Sequence, residues 1–355
     1  MKNYHVIGIM SGTSLDGLDI AYCVFQKKEH WKYKIAKANT INYSHIWKNK
    51  LINASSLNKK GLSLLSKEFG TYIGQEVNKF IKQNNVAVDF VASHGHTIFH
   101  DPAKGLTLQI GDGQSIAKKT KLPVVCDFRI GDVALGGQGA PLVPIADKLL
   151  FAHYKYCLNL GGFANISYDK KRVRLAFDIC PVNIVLNQLA KKVGKEFDNG
   201  GRLAAKGKVN NLLLAKLNNL AYYRTKGPKS LGREWVEKKF NPVLNSFPVS
   251  TQDKLRTVVE HAAIQIGFAV SSKAGKSKKT LLITGGGVYN KFLITRIKVH
   301  AKCNIKLPDD KTIQFKEAMA FAFIGLLKIS GEVNILKSVT GAKKNSSGGV
   351  RFFPT

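Results

Sequence analysis

Residues 4–25 read YHVIGIMSGTSLDGLDIAYCVF. Tyr4–Met10 and Asp19–Phe25 are largely apolar runs, and a short loop of Gly, Ser and Thr separates them. Two such runs around a glycine-containing loop predict a β-hairpin. The pattern returns at Asn159–Ser167, where two strand-like runs flank a Gly-Gly turn. The repetition predicts a duplicated α/β unit with a cleft between the two copies.

Strand-like runs alternate with helical patterns along the rest of the chain. Apolar residues recur at spacings of three and four over Gly61–Gln83, which predicts an amphipathic helix. Val173–Phe177 is strand-like, and Lys316–Ile329 is typical of an apolar helix. A Gly- and Pro-rich stretch at 131–144 is the candidate boundary. We therefore predict an α/β fold with an N-terminal domain of residues 1–132 plus 330–355 and a C-terminal domain of residues 133–329.

The composition indicates a folded protein with a very basic surface. The 355 residues include 55 Lys and Arg against 23 Asp and Glu, for a formal net charge of +32, and 44% are hydrophobic. That content argues against a disordered or collagen-like chain. The charge suggests either a nucleic acid or an anionic small substrate as partner. Lysines are spread along the chain, as at 27–37, 191–195 and 273–279, and such runs are typical of a solvated face. No nucleic-acid-binding motif is present, so we expect no specific nucleic-acid partner.

Three features favour a cytoplasmic protein without a membrane segment. The first ten residues, MKNYHVIGIM, lack the pattern of a secretory signal. The longest run of apolar residues and glycine, Ala318–Leu327, is shorter than the roughly 20 residues that cross a bilayer. The five cysteines are far apart and form no CxxC pair, which is typical of reduced thiols.

Three Gly-rich turns are candidates for nucleotide binding. In the first, hydroxyls could bind phosphate oxygens, glycines permit a tight backbone, and Asp16 or Asp19 could hold a hydrated Mg²⁺. Each turn alone is equally compatible with an ordinary tight turn, and the chain has no P-loop. Three in one chain favour a nucleotide held between two domains. The candidate residues are Ser11, Gly12, Thr13, Ser14, Asp16, Gly17 and Asp19; Asn159, Gly161 and Gly162; and Gly285, Gly286 and Gly287.

Polar residues at strand ends are candidates for catalysis and substrate binding. Asp178 ends an apolar strand before a helix predicted to start at Pro181, which suits a general base or, alternatively, a helix N-cap. His94 and His96 would share one face of a strand and could bind a sugar or a metal. Asp127 and Arg129 end another strand; Arg129 could bind an anionic group or pair with an acid at a domain edge.

Long motifs spread along the chain resemble those of the anhydro-N-acetylmuramic acid kinases. This family belongs to the sugar kinase, hexokinase and actin superfamily. The resemblance implies two actin-like or ribonuclease-H-like α/β domains flanking a deep active-site cleft, ATP with Mg²⁺, and a homodimer. The motifs are Gly8–Asp19, Ser93–Thr97, Thr107–Asp112, Asp127–Arg129, Gly136–Pro144, Asn159–Asn165, Pro228–Glu234, Gly285–Asn290, Glu317–Ala322 and Thr340–Ala342.

The resemblance also implies a reaction and roles for residues. Water attacks the anomeric carbon of the anhydro sugar while the freed sugar oxygen takes the γ-phosphoryl group, giving N-acetylmuramic acid 6-phosphate for cell-wall recycling. By this resemblance Asp178 is the catalytic base. The two phosphate loops lie at Ser11–Asp19 and Asn159–Gly162, and the adenosine turn at Gly285–Gly287. Sugar-binding positions are His94, His96, Asp127, Arg129 and Glu317.

The chain departs from the family pattern beside the base. Where the family has Phe-Asp-Thr-Gly-Pro-Gly-Asn, this sequence has Ile179, Cys180 and Val182 in place of Thr and two Gly. His96 stands where the family usually has Gln, and both side chains can donate a hydrogen bond. The added bulk supports an alternative hypothesis, a catalytically weakened homologue that only binds sugar or nucleotide. A basic nucleic-acid binder is a third hypothesis, based on charge alone.

Overall fold

The structure is a computed structural model that describes residues 2–12, 15–225, 229–271 and 280–355. It divides into a first unit, Met1–Phe151 with Phe315–Thr355, and a second unit, Ala152–Gln314. The sequence pattern placed residues 133–151 and 315–329 in the C-terminal domain, whereas in the structure they pack with the N-terminal residues. The Gly- and Pro-rich stretch at 131–144 is therefore a folded loop of the first unit and not a linker.

Twelve strands are present in the described residues. In chain order they are β1 (Asn3–Ser11), β2 (Gly17–Lys27), β3 (Trp31–Asn42), β4 (Phe90–Asp101), β5 (Leu106–Ile110), β6 (Val124–Cys126), β7 (Tyr156–Leu160), β8 (Phe163–Lys170), β9 (Val173–Pro181), β10 (Thr280–Thr284), β11 (Asn304–Lys306) and β12 (Val350–Phe352).

The helices follow the same order. They are α1 (His45–Ile52), α2 (Lys59–Asn84), α3 (Gly113–Thr120), α4 (Ile130–Ala134), α5 (Pro144–Leu150), α6 (Asn183–Lys191), α7 (Arg202–Lys206), α8 (Asn211–Asn218), α9 (Arg233–Trp235), α10 (Asn241–Asn245), α11 (Thr251–Ser271), α12 (Lys291–Ala301), α13 (Asp310–Ile329) and α14 (Lys337–Thr340). Short 3₁₀ or π turns occur at Asn53–Ser56, Pro102–Lys104, Asn199–Gly201, Ala221–Arg224, Val236–Phe240 and Gly286–Tyr289.

The sheet of the first unit has the order β12-β6-β4-β1-β2-β3, with β5 added to β4. The predicted hairpin is present as the antiparallel pair β1–β2, while β4 runs parallel to both β1 and β6. Side chains alternate between the faces of a strand, so Ile7 and Ile9 of β1 both face the core formed with Phe69 and Ile73 of α2. The amphipathic helix predicted over Gly61–Gln83 is confirmed as α2.

Helix α13 packs closely on the opposite face of β1 at Gly8. A Cβ atom at Gly8 would overlap the carbonyl oxygen of Ala318 and crowd the side chain of Ala322. Only glycine therefore lets the backbone of α13 approach β1 this closely. The approach fixes the position of Glu317, which directly precedes Ala318.

The sheet of the second unit has the order β11-β10-β7-β8-β9. The central strand β7 pairs antiparallel with β8, which pairs antiparallel with β9, while β10 runs parallel to both β7 and β11. This repeats the order and directions of β6-β4-β1-β2-β3 in the first unit. The predicted α/β class with two α/β domains is confirmed, and the duplication appears as a shared strand order.

Two local predictions differ from the structure. The lysine-rich segment at 27–37, which the sequence suggests is a solvated face, contains the edge strand β3, with Trp31 and Ile35 buried and Lys32 and Lys34 exposed. Lysines pointing outward are common on edge strands because they discourage further pairing. Pro181 is the last residue of β9, and helix α6 begins only at Asn183.

The described helices do not meet the requirements of a membrane span. Across residues 2–12, 15–225, 229–271 and 280–355, no helix combines the length and the apolar character needed to cross a bilayer.

Candidate active site

A β-bulge precedes the end of β9 and sets the direction of Asp178. Asn165 of β8 pairs with Asp178, and the adjacent Ala164 pairs with Cys180, so Ile179 is an extra residue in β9. A bulge rotates the strand locally and redirects the side chains beside it. The result is a partly buried carboxylate followed by three buried residues, Ile179, Cys180 and Pro181, at the end of β9.

Asp178 is held from three directions by one neighbouring segment. The backbone N–H of Leu231 donates to its Oδ2 atom at 2.8 Å. The carbonyl of Lys229 accepts from the Asp178 N–H at 2.9 Å, and the Tyr222 hydroxyl donates to the Asp178 carbonyl at 2.6 Å. Among the described residues no hydrogen bond reaches Oδ1, so this oxygen is available to a ligand.

The environment of Asp178 suits a general base better than a helix cap. Burial raises the pKa of the carboxyl above its ordinary value, and the hydrogen bond from Leu231 acts in the opposite direction. A raised pKa makes a carboxylate a stronger base at neutral pH. The helix-cap alternative does not hold, because the residue before α6 is Val182 and Asp178 bonds to Leu231 instead.

The segment that holds Asp178 is itself fixed by Lys229. Its Nζ atom donates to the carbonyl oxygens of Tyr222 and Thr225 at 2.8 and 3.1 Å and lies 4.1 Å from the centre of the Tyr222 ring. The sequence prediction assigned no role to Lys229, Leu231 or Tyr222. The signal that could have found the first two was the motif at 228–234, of which Pro228 lies outside the described residues.

The two Gly-rich turns of the second unit lie at the same end of its sheet. Asn159 at the end of β7 pairs with Thr284 at the end of β10, so the turns that follow are neighbours. Gly285 has φ +86°, and a Cβ there would lie 2.5 Å from Asn159 Oδ1. A Cβ on Gly286 would instead meet open space. The structure thus places Asn159, Gly161, Gly162 and Gly285–Gly287 together at one end of this sheet, where the backbone at Gly286 is accessible.

In the first unit, Ser11 joins the hairpin loop to the candidate sugar residues. Tyr43 donates its hydroxyl to Ser11 Oγ at 2.7 Å, and Ser11 Oγ lies 2.8 Å from His96 Nδ1. If Ser11 donates to Nδ1, the Nε2 atom of His96 carries the proton. Ser11 was predicted to bind phosphate, yet its buried hydroxyl already has these two protein partners. Gly12 and Gly17 flank the same loop, whereas Thr13 and Ser14 lie outside the described residues.

His94 and Arg129 form a second buried group. Nδ1 of His94 lies 3.0 Å from the Gly95 carbonyl, so it carries the proton, and Nε2 accepts from Arg129 Nε and Nη2 at 3.0 and 2.8 Å. Arg129 Nη1 donates to the Gly139 carbonyl at 2.5 Å. Burial, reinforced by the Arg129 charge, holds the pKa of His94 well below its ordinary value, so the ring is neutral.

The expectation that His94 and His96 share one strand face is wrong. Gly95 between them has φ +72°, and the β1–β4 register shifts at this point, so the alternation of side chains is interrupted. The His94 ring packs on Phe321 of α13, whereas His96 lies near Phe69 of α2. In the part of the chain that the structure describes, no group of three or more His, Cys, Asp or Glu could hold a metal ion.

Two further candidates are Glu317, which lies in the electrostatic environment of Arg129, and Asp127, which precedes Arg129 by two residues. Glu317 has an accessible side chain, but the surrounding protein desolvates its carboxyl and raises its pKa, while the Arg129 charge opposes this shift. Burial also raises the pKa of Asp127, which has φ +58° at the end of β6. Arg129, directly before α4, and Glu317 of α13 therefore interact electrostatically, although they are far apart in sequence.

Asp16 and Asp19 are the candidate ligands of Mg²⁺. Asp19 Oδ1 accepts from the Thr40 hydroxyl at 2.6 Å, which leaves Oδ2 for another partner. Burial raises the pKa of Asp19, and the nearby charge of Asp16 adds to this shift. Two carboxylates that repel each other fit a cation, and Mg²⁺ typically takes one or two carboxylates together with waters and phosphate oxygens.

The structure has three features of a two-domain phosphotransferase. These are two units with the same strand order, Gly-rich turns at strand ends, and a carboxylate beside a β-bulge. The comparison with known families agrees, since the family model "Anhydro-N-acetylmuramic acid kinase" matches residues 4–354. The chain belongs to this family and is a phosphotransferase.

Curated relatives carry the same family name. The anhydro-N-acetylmuramic acid kinase of Pseudomonas syringae pv. syringae (strain B728a) is 32% identical over 366 residues, covering 96% of this chain and 97% of that protein. The protein of that name from Vibrio parahaemolyticus serotype O3:K6 is 33% identical over 373 residues, covering 98% of this chain and 97% of its own length. The similarity therefore extends over both units.

Proposed function

We propose that this protein is an ATP-dependent anhydro-N-acetylmuramic acid kinase that opens the 1,6-anhydro ring and forms N-acetylmuramic acid 6-phosphate. The observation that carries the proposal is Asp178, a partly buried carboxylate with one oxygen fixed by Leu231 and the other available. The product is an amino sugar phosphate, so we place the reaction in peptidoglycan recycling. We further propose that the protein works as a cytoplasmic homodimer.

In the proposed reaction Asp178 Oδ1 takes a proton from water as the water oxygen bonds to the anomeric carbon. The bond from that carbon to the bridging oxygen breaks, and its electron pair remains on the oxygen. That oxygen then bonds to the γ-phosphorus of ATP, and ADP leaves. General-base action of this kind contributes about 10²–10⁴-fold to the rate, and the remainder comes from orientation and from stabilising phosphate charge.

Arg129 is suited to the lactyl carboxylate of the sugar. A guanidinium has five N–H donors. Three of these are used by His94 and Gly139, which leaves one N–H on each Nη atom. Two such donors on one planar group match the two oxygens of a carboxylate. The His96 ring and the carboxyls of Asp127 and Glu317 supply further hydrogen bonds to the sugar in this proposal.

The nucleotide is assigned to the Gly-rich turns. Backbone amides of residues 161–162 and the hairpin loop at 11–19 would bind phosphate oxygens, and Gly285–Gly287 would approach the adenosine. Asp16 and Asp19 would hold Mg²⁺, which when bound offsets the charge of the phosphates. The high positive charge would attract both anionic substrates.

The weakened-homologue alternative rests on Ile179, Cys180 and Val182. All three side chains are at least 96% buried, and they belong to the hydrophobic core of the second unit. Bulk that enters the core does not crowd the available oxygen of Asp178, so we favour an active enzyme.

The direct test is release of ADP from ATP and Mg²⁺ with and without anhydro-N-acetylmuramic acid, with the sugar product identified by mass spectrometry. We expect ADP release that depends on the sugar and a product heavier than the substrate by one water and one phosphoryl group. Tight binding of sugar or ATP without turnover would support the weakened homologue instead. Binding of nucleic acid that weakens steeply with salt would support the third hypothesis.

A further inference from the structure

We propose that Asp132 and Thr340 are positioning residues for Arg129, and that they thereby set the affinity of the enzyme for the anionic group of its sugar substrate. The inference deepens the proposed function and rests on it for the identity of the ligand. It gives a role to residues 340–343, here called the C-terminal segment, which lie more than 200 residues along the chain from Arg129.

Asp132 of α4 is a fully buried carboxylate whose described hydrogen-bond donors are all neutral. Its Oδ1 accepts from the Thr340 hydroxyl at 2.8 Å, and its Oδ2 accepts from the Gly139 N–H at 2.8 Å. Its main-chain carbonyl accepts from the Gly137 N–H at 2.9 Å. A buried charge without such donors would be strongly unfavourable, so these contacts hold the loop around Gly137–Gly139 to α4.

The loop contacts the C-terminal segment a second time through its backbone. The N–H of Gln138 donates to the Thr340 carbonyl at 2.8 Å, and the N–H of Lys343 donates to the Leu135 carbonyl at 3.1 Å. Thr340 therefore binds both the carboxylate of Asp132 and the main chain of the loop, and it is 1% exposed.

Gly139 transmits this constraint to Arg129. Its N–H is bound to Asp132, while its carbonyl accepts from Arg129 Nη1. The N–H of Gly139 is thus held by the Asp132 carboxylate, and its carbonyl orients the Arg129 guanidinium. His94 fixes the Nε and Nη2 edge of the same guanidinium, so its plane is determined by His94 and Gly139 together.

Gly137 explains why the loop can lie so close to the carboxylate. A Cβ at this position would overlap Asp132 Oδ2 and lie 2.8 Å from the Cβ of Ala342. Only glycine leaves room for Asp132 between the loop and the C-terminal segment.

The consequence concerns the two guanidinium N–H groups left for substrate. Bidentate recognition of a carboxylate depends on orientation as well as charge. Loss of the Thr340 hydroxyl removes a donor to Asp132, allows the loop to shift and turns the guanidinium from its direction. The charge of Arg129 is unchanged, and so are the Gly-rich turns at 159–162 and 285–287, to which Thr340 makes no described hydrogen bond.

The test compares Thr340→Val, which removes the hydroxyl at similar volume, with Thr340→Ser, which keeps it. We expect Thr340→Val to raise the KM for the anhydro sugar about tenfold, because a turned guanidinium would lose one of its two charge-assisted hydrogen bonds to the substrate carboxylate. The KM for ATP should change less than about twofold, and Thr340→Ser should restore the sugar KM close to wild type. An unchanged sugar KM in Thr340→Val, or an equal loss with both substrates, would overturn the proposal.

A second measurement on the enzyme without substrate does not depend on the identity of the sugar. In ¹⁵N-histidine-labelled protein, the His94 Nε2 resonance reports the hydrogen bonds from Arg129. We expect it to move in Thr340→Val and Asp132→Asn and to stay in place in Thr340→Ser. If the wild type fails to phosphorylate the sugar, the proposed function fails while this readout still tests the positioning. A His94 resonance that is the same in all variants contradicts it.

Discussion

The backbone N–H of Leu231 donates a hydrogen bond of 2.8 Å to Oδ2 of Asp178, although 53 residues separate the two in sequence. This contact occupies a lone pair of Oδ2, whereas Oδ1 accepts no hydrogen bond from the described residues. It also shows that the carboxylate itself is held by a backbone N–H, whereas the Tyr222 side chain contacts only the Asp178 carbonyl.

Asp178→Asn should reduce kcat about 10²–10⁴-fold, because the amide cannot accept the proton from water. Binding of ATP should be retained, since the Asn oxygen can still accept from Leu231 and the fold is kept. Kinetics together with calorimetric titration of ATP would test this. Wild-type turnover in Asp178→Asn would rule out the assignment of the base.

Asp198→Asn is the matched control for that substitution. The Asp198 carboxylate is buried and accepts from the N–H groups of Leu203 and Ala204 at 2.8 and 2.9 Å, so its role is to cap α7. Its loss should lower stability by about 1 kcal/mol, as for other helix caps, and leave kcat unchanged.

The pH dependence of Asp178 has a defined sign. Because burial raises the pKa of this carboxyl above 3.8, ionising it in the folded state costs free energy that the unfolded state does not lose. Asp178→Asn should therefore raise the melting temperature at pH 7, and the difference should vanish below about pH 3.8, the ordinary pKa of Asp. A lower melting temperature of the variant at pH 7 would contradict this. In the wild type, kcat/KM should fall on the acidic side as pH drops through the raised pKa.

Arg129→Lys should raise the KM for the anhydro sugar about tenfold to hundredfold, since a charge-assisted hydrogen bond contributes about 1.5–3 kcal/mol. Lysine keeps the charge but loses the planar pair of donors and the contacts to His94 and Gly139. Steady-state kinetics with each substrate varied in turn would test this. An equal rise in the KM for ATP would point to a general structural effect instead.

Glu260 gives the second unit an acid-labile contact. Burial favours a higher pKa, but hydrogen bonds from Arg296, His300 and Arg256 outweigh it and lower the pKa of Glu260 to about 2. The shift from 4.5 corresponds to roughly 3 kcal/mol of stability, at 1.4 kcal/mol per pKa unit.

This stability is present above the unfolded pKa of about 4.5 and is lost as pH falls towards 2. Glu260→Gln should thus be less stable than wild type at pH 7, and the two should converge near pH 2. Urea unfolding across this pH range would measure the difference. A gap that stays constant with pH would exclude the ionised contact as its source.

Gly8→Ala should destabilise the first unit by about 1–3 kcal/mol, the usual cost of overpacking. The new Cβ would overlap the Ala318 carbonyl and displace Glu317, so the KM for the sugar should rise as well. Gly131→Ala is the control, because its Cβ would meet no atom within 4 Å and alanine favours the helical backbone of α4. Thermal melts of both variants would separate crowding from a general effect of adding a methyl group.

Most elements and most candidate residues could be predicted from the sequence. Local patterns were sufficient for the hairpin at Tyr4–Phe25, for helix α2 and for the strand that carries Asp178, because apolar periodicity reports directly which face is buried. Local patterns were misleading where pairing with a neighbouring strand outweighs them. The lysine-rich β3 is a strand because it pairs with β2, and Pro181 belongs to β9 because it pairs with Phe163 of β8.

The orientation and the contacts of the candidate side chains depend on tertiary packing. No periodicity places the Leu231 amide on Asp178, the Thr340 hydroxyl on Asp132 or the His94 ring on Arg129. These contacts join residues that are distant along the chain, and buried polar groups form them because each must replace the hydrogen bonds it made to water. The sequence determined which chemistry the protein carries, and packing determined which atoms are free to perform it.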